Sequence, residues 1–550
     1  MKMQAWRRIL LLLFLFLLAG LFASLVFGDQ NDPPGRVARL SLAQGKVSFQ
    51  PSGETTWSEA SVNRPITTGD RLYTDQGARA ELEVGPFAVR LSQGTDVTLA
   101  NLNDQLMQLG VGQGTLRVTV YEMPEGSSME VDTPNGALIL QAAGSYRVDT
   151  AADGNSTQVT VNAGTLQISA GDLSKTVRSG QAVHLTGTGP VMAASLSVPP
   201  PDDFDKWCAG RDQRIEKSAS AQQVGPAVPG GEDLDTYGQW ANEPGYGQVW
   251  YPSNVPPGWV PYRNGHWVYV RPWGWTWVEA EPWGYAPFHY GRWARIRRVW
   301  AWVPSPAVAR PVYAPALVVF VGGGGPGVQA WFPLGPREPY TPWYEHGPNY
   351  IDRVNVVNVT NTTNIRYENR EGAVTAVSGE AFRGGRPVAS GMVHVSPEQL
   401  SHTTVITHPE VSPTSQAVFG AGAVAAPPVR AERVIGMGPA TPSGLRTTAP
   451  EPHEAPRPGG PPNTPPPHVF TRNAPPPTNA PSAPRPDANP SVPGHPVEPQ
   501  PVNNVQVGKP SGPAPDKAVV PPPAKPPAPV PAKATPKPKT PPPKDTHEHH

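Results

Sequence analysis

Two rhythms of apolar and polar residues divide the chain. From residue 36 to 190 the two kinds alternate, so that Leu116, Val118 and Val120 point one way and Thr115, Arg117 and Thr119 the other. Glycines interrupt this pattern at the roughly 8–12-residue spacing of an all-β sandwich or barrel. Gly164-Thr165-Leu166-Gln167-Ile168 echoes Gly114-Thr115-Leu116-Arg117-Val118, and Gly45-Lys46-Val47-Ser48-Phe49 is a weaker copy. Asn135-Gly136 and Asp153-Gly154 are hairpin turns by composition. No long helical period breaks in, so the sheet is expected to be antiparallel in the main. The glycines and Asp70 are read as turn formers and none as a ligand.

The second rhythm runs from Trp240 to Val303 and holds eleven of the sixteen tryptophans. Gly258-Trp259-Val260-Pro261-Tyr262, with Gly265 and Trp267, recurs as Gly284-Tyr285-Ala286-Pro287-Phe288, with Gly291 and Trp293. Trp250, Trp275 and Trp300 recur at a common interval between these units. Self-similarity at a fixed period marks one small unit reused, here a compact β-meander. Trp273, Trp275 and Trp277, then Trp300 and Trp302, share strand faces. A buried aromatic removes roughly 150–250 Å² from water, and a thin sheet needs most of that to offset its ordering entropy. Most rings are therefore expected inside. Any row left outside, drawn from Trp259, Trp267, Trp273, Trp275, Trp277, Trp293, Trp300 and Trp302, is the candidate surface for glycan rings or extended peptide, with Arg292, Arg295, Arg297 and Arg298 as guanidinium neighbours.

Between the two, residues 191–236 read as a linker carrying a short helix over 202–217, capped by Asp202. Phe204, Trp207, Cys208 and Ile215 share its apolar stripe, which makes Cys208 a buried, inert thiol. Ahead of everything, Lys2, Arg7 and Arg8 precede an apolar run from Ile9 to Phe27. That is an export signal or membrane anchor over residues 1–28, with a cleavage site after Gly28. It places the rest outside the cytoplasm, and argues against nucleic acid despite the basic-aromatic mixture. No cysteine ends the run, so a lipoprotein is excluded.

Composition adds little that is global. Lysine plus arginine and aspartate plus glutamate both number 44, so no strongly charged partner is implied. One cysteine rules out an intramolecular disulfide and a cysteine-based zinc site. Proline, 74 in all, concentrates late, whereas the 55 glycines do not. Residues 237–350 complete the aromatic unit, 351–450 are expected to be weakly ordered with one strand over 354–365, and 451–550 form a proline-rich extended tail. Its lysines resemble a periplasm-spanning spacer in composition only, and His547, His549 and His550 are incidental.

At Ile66-Thr67-Thr68-Gly69-Asp70-Arg71-Leu72 the chain resembles the opening of a FecR domain. Val131-Asp132-Thr133-Pro134-Asn135-Gly136, Ala143-Gly144-Ser145-Tyr146-Arg147-Val148 and Arg178-Ser179-Gly180-Gln181-Ala182-Val183 continue the likeness over roughly 40–187. The resemblance implies a periplasmic β-domain of the kind that couples siderophore receptors to sigma-factor control. Signalling members carry a cytoplasmic helical segment before their membrane span. Only eight residues precede the apolar run here, so signalling is kept as an alternative. The stretch from Asp203-Phe204-Asp205-Lys206-Trp207 to Trp331-Phe332-Pro333-Leu334-Gly335-Pro336 looks like the tryptophan- and proline-rich domain of unknown function that often follows a FecR domain in exported bacterial proteins.

No nucleophile elbow, zinc motif or phosphate loop appears; Gly322–Gly325 lacks the Lys-Ser/Thr that would follow. Glu279 and Glu281 are the paired carboxylates of the aromatic unit. Side by side at a turn, they are expected to be exposed rather than to flank a substrate. His266 and His289 lack a third ligand. The reading is a non-enzymatic envelope protein without cofactor or metal, with envelope proteins or cell-wall glycan as partners and membrane contact through residues 9–27 if these stay uncleaved. A glycan-active protein is the further alternative.

Overall fold

The computed structural model describes residues 32–322, 327–347, 350–355, 366–409, 411–420 and 422–428, and the backbone of Arg433–Ile435 and Val469–Thr471. The expectations for the export segment, the glycine turn after Gly322, most of the 354–365 strand and nearly all of the tail fall outside these residues. Among the described residues, no helix is long and apolar enough to cross a membrane.

The fold is mainly β and mainly antiparallel. Residues 38–196 build two sheets that share one strand. The first runs in the order Pro65–Ile66, Ala38–Gln44, Arg79–Val84, Phe87–Leu91, residues 114–120, Gly144–Thr150, Ser156–Ala163, Gln181–Thr186 and Met192–Leu196. The second runs Trp57–Glu59, Val47–Gln50, Arg71–Thr74, Asp96–Leu102, residues 106–113, Ser128–Thr133, Gly136–Leu140, Thr165–Ala170 and Leu173–Arg178. The shared strand is Leu106–Val120, whose first half pairs in parallel with Ser128–Thr133.

Crossing between sheets needs a bend, and glycine supplies it. Gly114 and Gly164 both sit at φ +93, where an L side chain is strained. Gly114 passes the shared strand from the second sheet to the first; Gly164 passes the chain back from Ser156–Ala163 to Thr165–Ala170. A Cβ at Gly164 would overlap Tyr146, whose hydroxyl donates to the carbonyl of Ala142 at 2.7 Å. The echo between these two segments is therefore a repeated sheet crossing.

Inside lie Leu116, Val118, Val120, Val148, Val159 and Val161 with the facing Leu99, Leu109 and Leu138. The outward positions of the first sheet are not left to water. Glu81, Arg90, Arg117, Arg147 and Thr160 are successive cross-strand neighbours, and the helix Asp203–Glu216 lies over them. Arg90 pairs with Glu81 at 2.6 Å and with Asp212 of the helix at 2.5 Å. Arg117 and Arg147 reach Asp205 at 3.2 and 2.6 Å. The helix starts where its sequence predicts, with Asp202 as N-cap in a reciprocal capping box with Asp205.

The meander beyond resolves into three hairpins: Gly238–Glu243 with Gly247–Pro252, Gly265–Val270 with Gly274–Glu279, and Gly291–Ile296 with Val299–Pro304. Each pairs tryptophan with tryptophan across its strands, Trp240 with Trp250, Trp267 with Trp277, and Trp293 with Trp302. Each opens on a glycine, Gly238, Gly265 or Gly291, where a Cβ would collide with the indole of Trp250, Trp277 or Trp302 respectively. The structural equivalents are thus Trp250, Trp277 and Trp302, so the common interval through Trp275 and Trp300 misses the register by two. The outer hairpins join through Trp250 and Trp302 into one four-stranded sheet. The middle hairpin stands alone and packs against a further sheet made by Thr375–Ser378, Val328–Pro333, Val318–Gly322 and Thr404–Ile406. Two of those strands lie where order was expected to fade. Their pairing partners are far off in sequence, so local composition does not announce them.

Candidate functional site

The eight tryptophans named as a possible binding row do not form one. Trp267, Trp273, Trp275, Trp277, Trp293, Trp300 and Trp302 are buried, and Trp259 is half-buried against the same core. The strand Gly274–Glu279 shows why. From Trp275 to Glu279 it is buried on both faces, so alternation leaves no side for solvent. Trp267 lies at the hub, with the rings of Trp277, Phe320, Trp331, Trp343 and Phe382 around it. The two copies of the repeat meet there too. Tyr262 packs edge-on to its counterpart Phe288 with centroids 4.7 Å apart, and its hydroxyl donates to the Phe288 carbonyl at 2.6 Å. Arg292 is no surface partner of an indole. It is buried, donates to the carbonyls of Gly291 and Glu338, and is held by burial at a pKa of about 10.

Nor do the candidate reactive groups meet. Glu279 is buried rather than exposed at a turn. Its Oε2 accepts from Trp277 Nε1 at 2.8 Å, and burial pushes its pKa well above the carboxylate range. Glu281 instead accepts from the Asn264 amide at the surface. His289 is buried with Nδ1 2.7 Å from the Ala314 carbonyl and its pKa lowered by burial to about 3. His266 is lowered to about 4 by burial and by Arg64. Cys208 is fully buried, and burial raises its thiol to about 12, which leaves it unreactive at neutral pH. Asp70 caps its own turn, accepting from the backbone N–H groups of Ser52 and Thr67, both at 2.8 Å. No group of three or more metal-ligating side chains occurs among the described residues.

Sequence reasoning missed the junction between the two β-units. Arg39, in the strand Ala38–Gln44, is buried beneath the aromatic unit. It donates to Asn63 Oδ1 at 2.9 and 3.1 Å and to the Pro282 carbonyl at 2.9 Å. It pairs with Asp233 at 2.6 Å and Glu83 at 3.3 Å, and its guanidinium lies 5.5 Å from the Tyr285 ring centre. Burial alone would lower its pKa; the carboxylates of Asp233, Glu83 and Glu232 more than reverse that. Asn63 in turn donates to the carbonyls of Glu279 and Glu281. Arg64 donates to the carbonyls of Val418 and Phe419, closing the end of the helix Ser415–Phe419. The signal available in sequence was slight: Arg39 in a strand that reads as half-solvated, and Asn63 and Arg64 in the turn before Pro65–Ile66.

The other unanticipated feature is an edge. Met192–Leu196 is the last strand of the first sheet and pairs on one side with Gln181–Thr186. Ala193 packs on the core, while Met192, Ala194, Leu196 and Val198 step along the opposite, exposed side. Met192 is 69% exposed and Leu196 43%. Apolar side chains along an unpaired edge are what a partner strand recognises.

Comparison with known proteins adds a family for part of the chain. Residues 231–338 match a family of unknown function, DUF6600. No curated protein matches the sequence. Two crystal structures of a candidate anti-sigma factor from Parabacteroides distasonis overlap the fold in part. One is 13% identical with a TM-score of 0.22, covering 26% of this chain and 65% of its own. The other is 11% identical with a TM-score of 0.21, covering 30% and 72% respectively.

Proposed function

We propose that this chain is a non-enzymatic protein of the cell envelope that holds a protein partner, by strand addition at the edge Met192–Leu196. The observation that carries this reading is the exposed apolar row Met192, Ala194 and Leu196, continued by Val198 beyond the strand, on an edge that is unpaired among the described residues. Backbone groups there supply affinity, and alternate side chains supply selection. Location outside the cytoplasm rests on the basic flank and apolar run of residues 2–27. A glycan partner is less favoured, because the flat rings that would stack on sugars are consumed in the core. The non-enzymatic reading draws support from buried Glu279, His289 and Cys208 and half-buried His266, none of which joins a metal-ligating cluster among the described residues.

The test is capture from the native envelope with the full mature chain. A partner protein retained by the wild type is expected to be lost on Ser195→Pro, which removes a backbone donor from the open side of the strand, and weakened on Leu196→Lys. Retention by both variants, or recovery of peptidoglycan alone, would overturn the proposal.

A further inference from the structure

A cavity of about 240 Å³ lies between the first sheet and the segment that follows its covering helix. Ile215, Ala221, Val228 and the ring of Tyr121 form its apolar walls, and Glu83 and Glu232 stand at one end. Glu216 and Gln222, both exposed, mark its mouth. The volume is below the roughly 300 Å³ at which pockets begin to enclose drug-sized ligands, so only a small molecule fits.

The acidic end is unusual in its charge balance. Arg211 and Arg90 are matched by Glu81 and Asp212. Arg39 and Arg214 are matched by Glu83 and Asp233. Glu232 is left over. Both Glu83 and Glu232 are more than nine-tenths buried, and Oε1 of each is sealed from solvent without a hydrogen-bond donor. A buried carboxylate with no cation is strongly disfavoured. Burial first, then the charges of Glu83 and Asp233, push the Glu232 pKa well up, with Arg39 opposing. Ionisation of Glu232 is therefore disfavoured in the empty protein, with Glu83 beside it.

We propose that this cavity binds a small primary amine with an apolar body, its ammonium standing between Glu83 and Glu232 and its hydrocarbon against Ile215, Ala221 and Val228. The ammonium supplies the one missing positive charge. Each binding event then sends the Glu232 proton to bulk water, and the charge in the site stays balanced. The charged groups around the acid pair are Arg39, Asp233 and Arg211, with Glu216 elsewhere on the cavity lining; Tyr121 is already engaged by Asp212 at 2.8 Å. Nothing in this depends on the edge-strand reading, since the two surfaces share no residue.

The experiment is calorimetric titration of the full chain with pentylammonium at neutral pH, in two buffers of different ionisation heat. Saturable binding is expected with release of about one proton per site, while pentan-1-ol fails to compete. Glu232→Gln mimics the protonated acid, so the thermal melt is expected to hold, while affinity falls roughly tenfold to a hundredfold for a lost charge-assisted bond. Absence of saturable binding, binding without proton release, or equal competition by pentan-1-ol would each overturn the proposal. So would unchanged affinity in a folded Glu232→Gln protein; the wild-type proton count decides the matter if that variant fails to fold.

Discussion

The two β-units bury their strands by different means. In residues 38–196 the inner faces carry Leu and Val, and the outer face of the first sheet carries charged residues that a helix covers with ion pairs. In the aromatic unit the second face is covered by more rings, so from Trp275 to Glu279 the strand Gly274–Glu279 has no side facing solvent. Alternation in the first unit thus separates aliphatic from ion-paired surroundings rather than core from water. The difference predicts different weak points. The first unit tolerates loss of one aliphatic side chain among many; the second is built round a few large rings whose contacts are shared.

The largest expected effect tests that sharing. Trp267→Ala removes the ring that five others touch and is expected to cost about 3–5 kcal/mol, read from urea unfolding of the full chain. Leu116→Ala, fully buried in the aliphatic core, sits in a series where about 2–5 kcal/mol is usual. The sharper comparison is coupling. Combining Trp267→Ala with Trp331→Ala should cost less than the sum of the two, because each loses the same contact. Strict additivity, or a Trp267→Ala cost below about 1 kcal/mol, would break the idea of a shared aromatic core.

Much of this was legible from residue pattern, and the rest failed for identifiable reasons. The alternation around Leu116, the turn at Asn135-Gly136 and the cap at Asp202 announce themselves because each is a local interaction between residues a few positions apart. The aromatic repeat was visible, but its register was not. Trp275 and Trp300 keep the more regular interval, and only the pairing of Trp277 with Trp267 and of Trp302 with Trp293 shows which rings correspond. The strands Thr375–Ser378 and Thr404–Ile406 were hidden because they are completed by Val328–Pro333 and Val318–Gly322, each tens of residues away. The junction was hidden for a related reason. Arg39 and Asn63 look like solvent-facing residues until Pro282, Glu279 and Glu281 are brought over them. Glu279 shows the same effect in reverse, a carboxylate beside a turn that the neighbouring ring of Trp277 holds inside.

A middle-sized effect separates the units by pH. An unfolded histidine titrates near 6.5, whereas buried His289 titrates at about 3 and His266 at about 4. Between those limits the unfolded chain binds the extra protons, so the stability these groups confer is complete above about 6.5 and is lost as pH falls. Asp70 in the first unit works the other way. Burial raises its carboxyl to about 6, from an ordinary value near 3.8, so between those values the folded state holds the extra proton and stability falls as pH rises. Glu279, raised by burial, acts as Asp70 does. Glu81 of the first unit, lowered by Arg211 and Arg90 against its burial, loses stability in acid. The acid lability expected of the tryptophan-rich unit therefore rests on its two histidines. His289→Asn, whose amide can still donate to the Ala314 carbonyl, is expected to move the acid midpoint of tryptophan fluorescence to lower pH. An unmoved midpoint would mean that another group controls acid unfolding, and the contrast between the units would lose its electrostatic half.

The smallest effect concerns the cover of the first sheet. Asp202 caps the helix Asp203–Glu216 and also meets Arg147 at 2.7 Å, but its side chain is 48% exposed. An ion pair so open to water contributes little, and Arg147 keeps Asp149 and Asp205 as partners in its absence. The cap is the larger part. Asp202→Ala is therefore expected to cost about 1 kcal/mol, while Asp202→Ser, which restores the cap without the charge, should recover most of it. The two variants differ only in whether the backbone N–H of Asp205 has an acceptor. If Asp202→Ser were as unstable as Asp202→Ala, the charge would be holding the helix down. The ion-paired face would then be a main source of stability in the first unit, not just a way of filling its outer side.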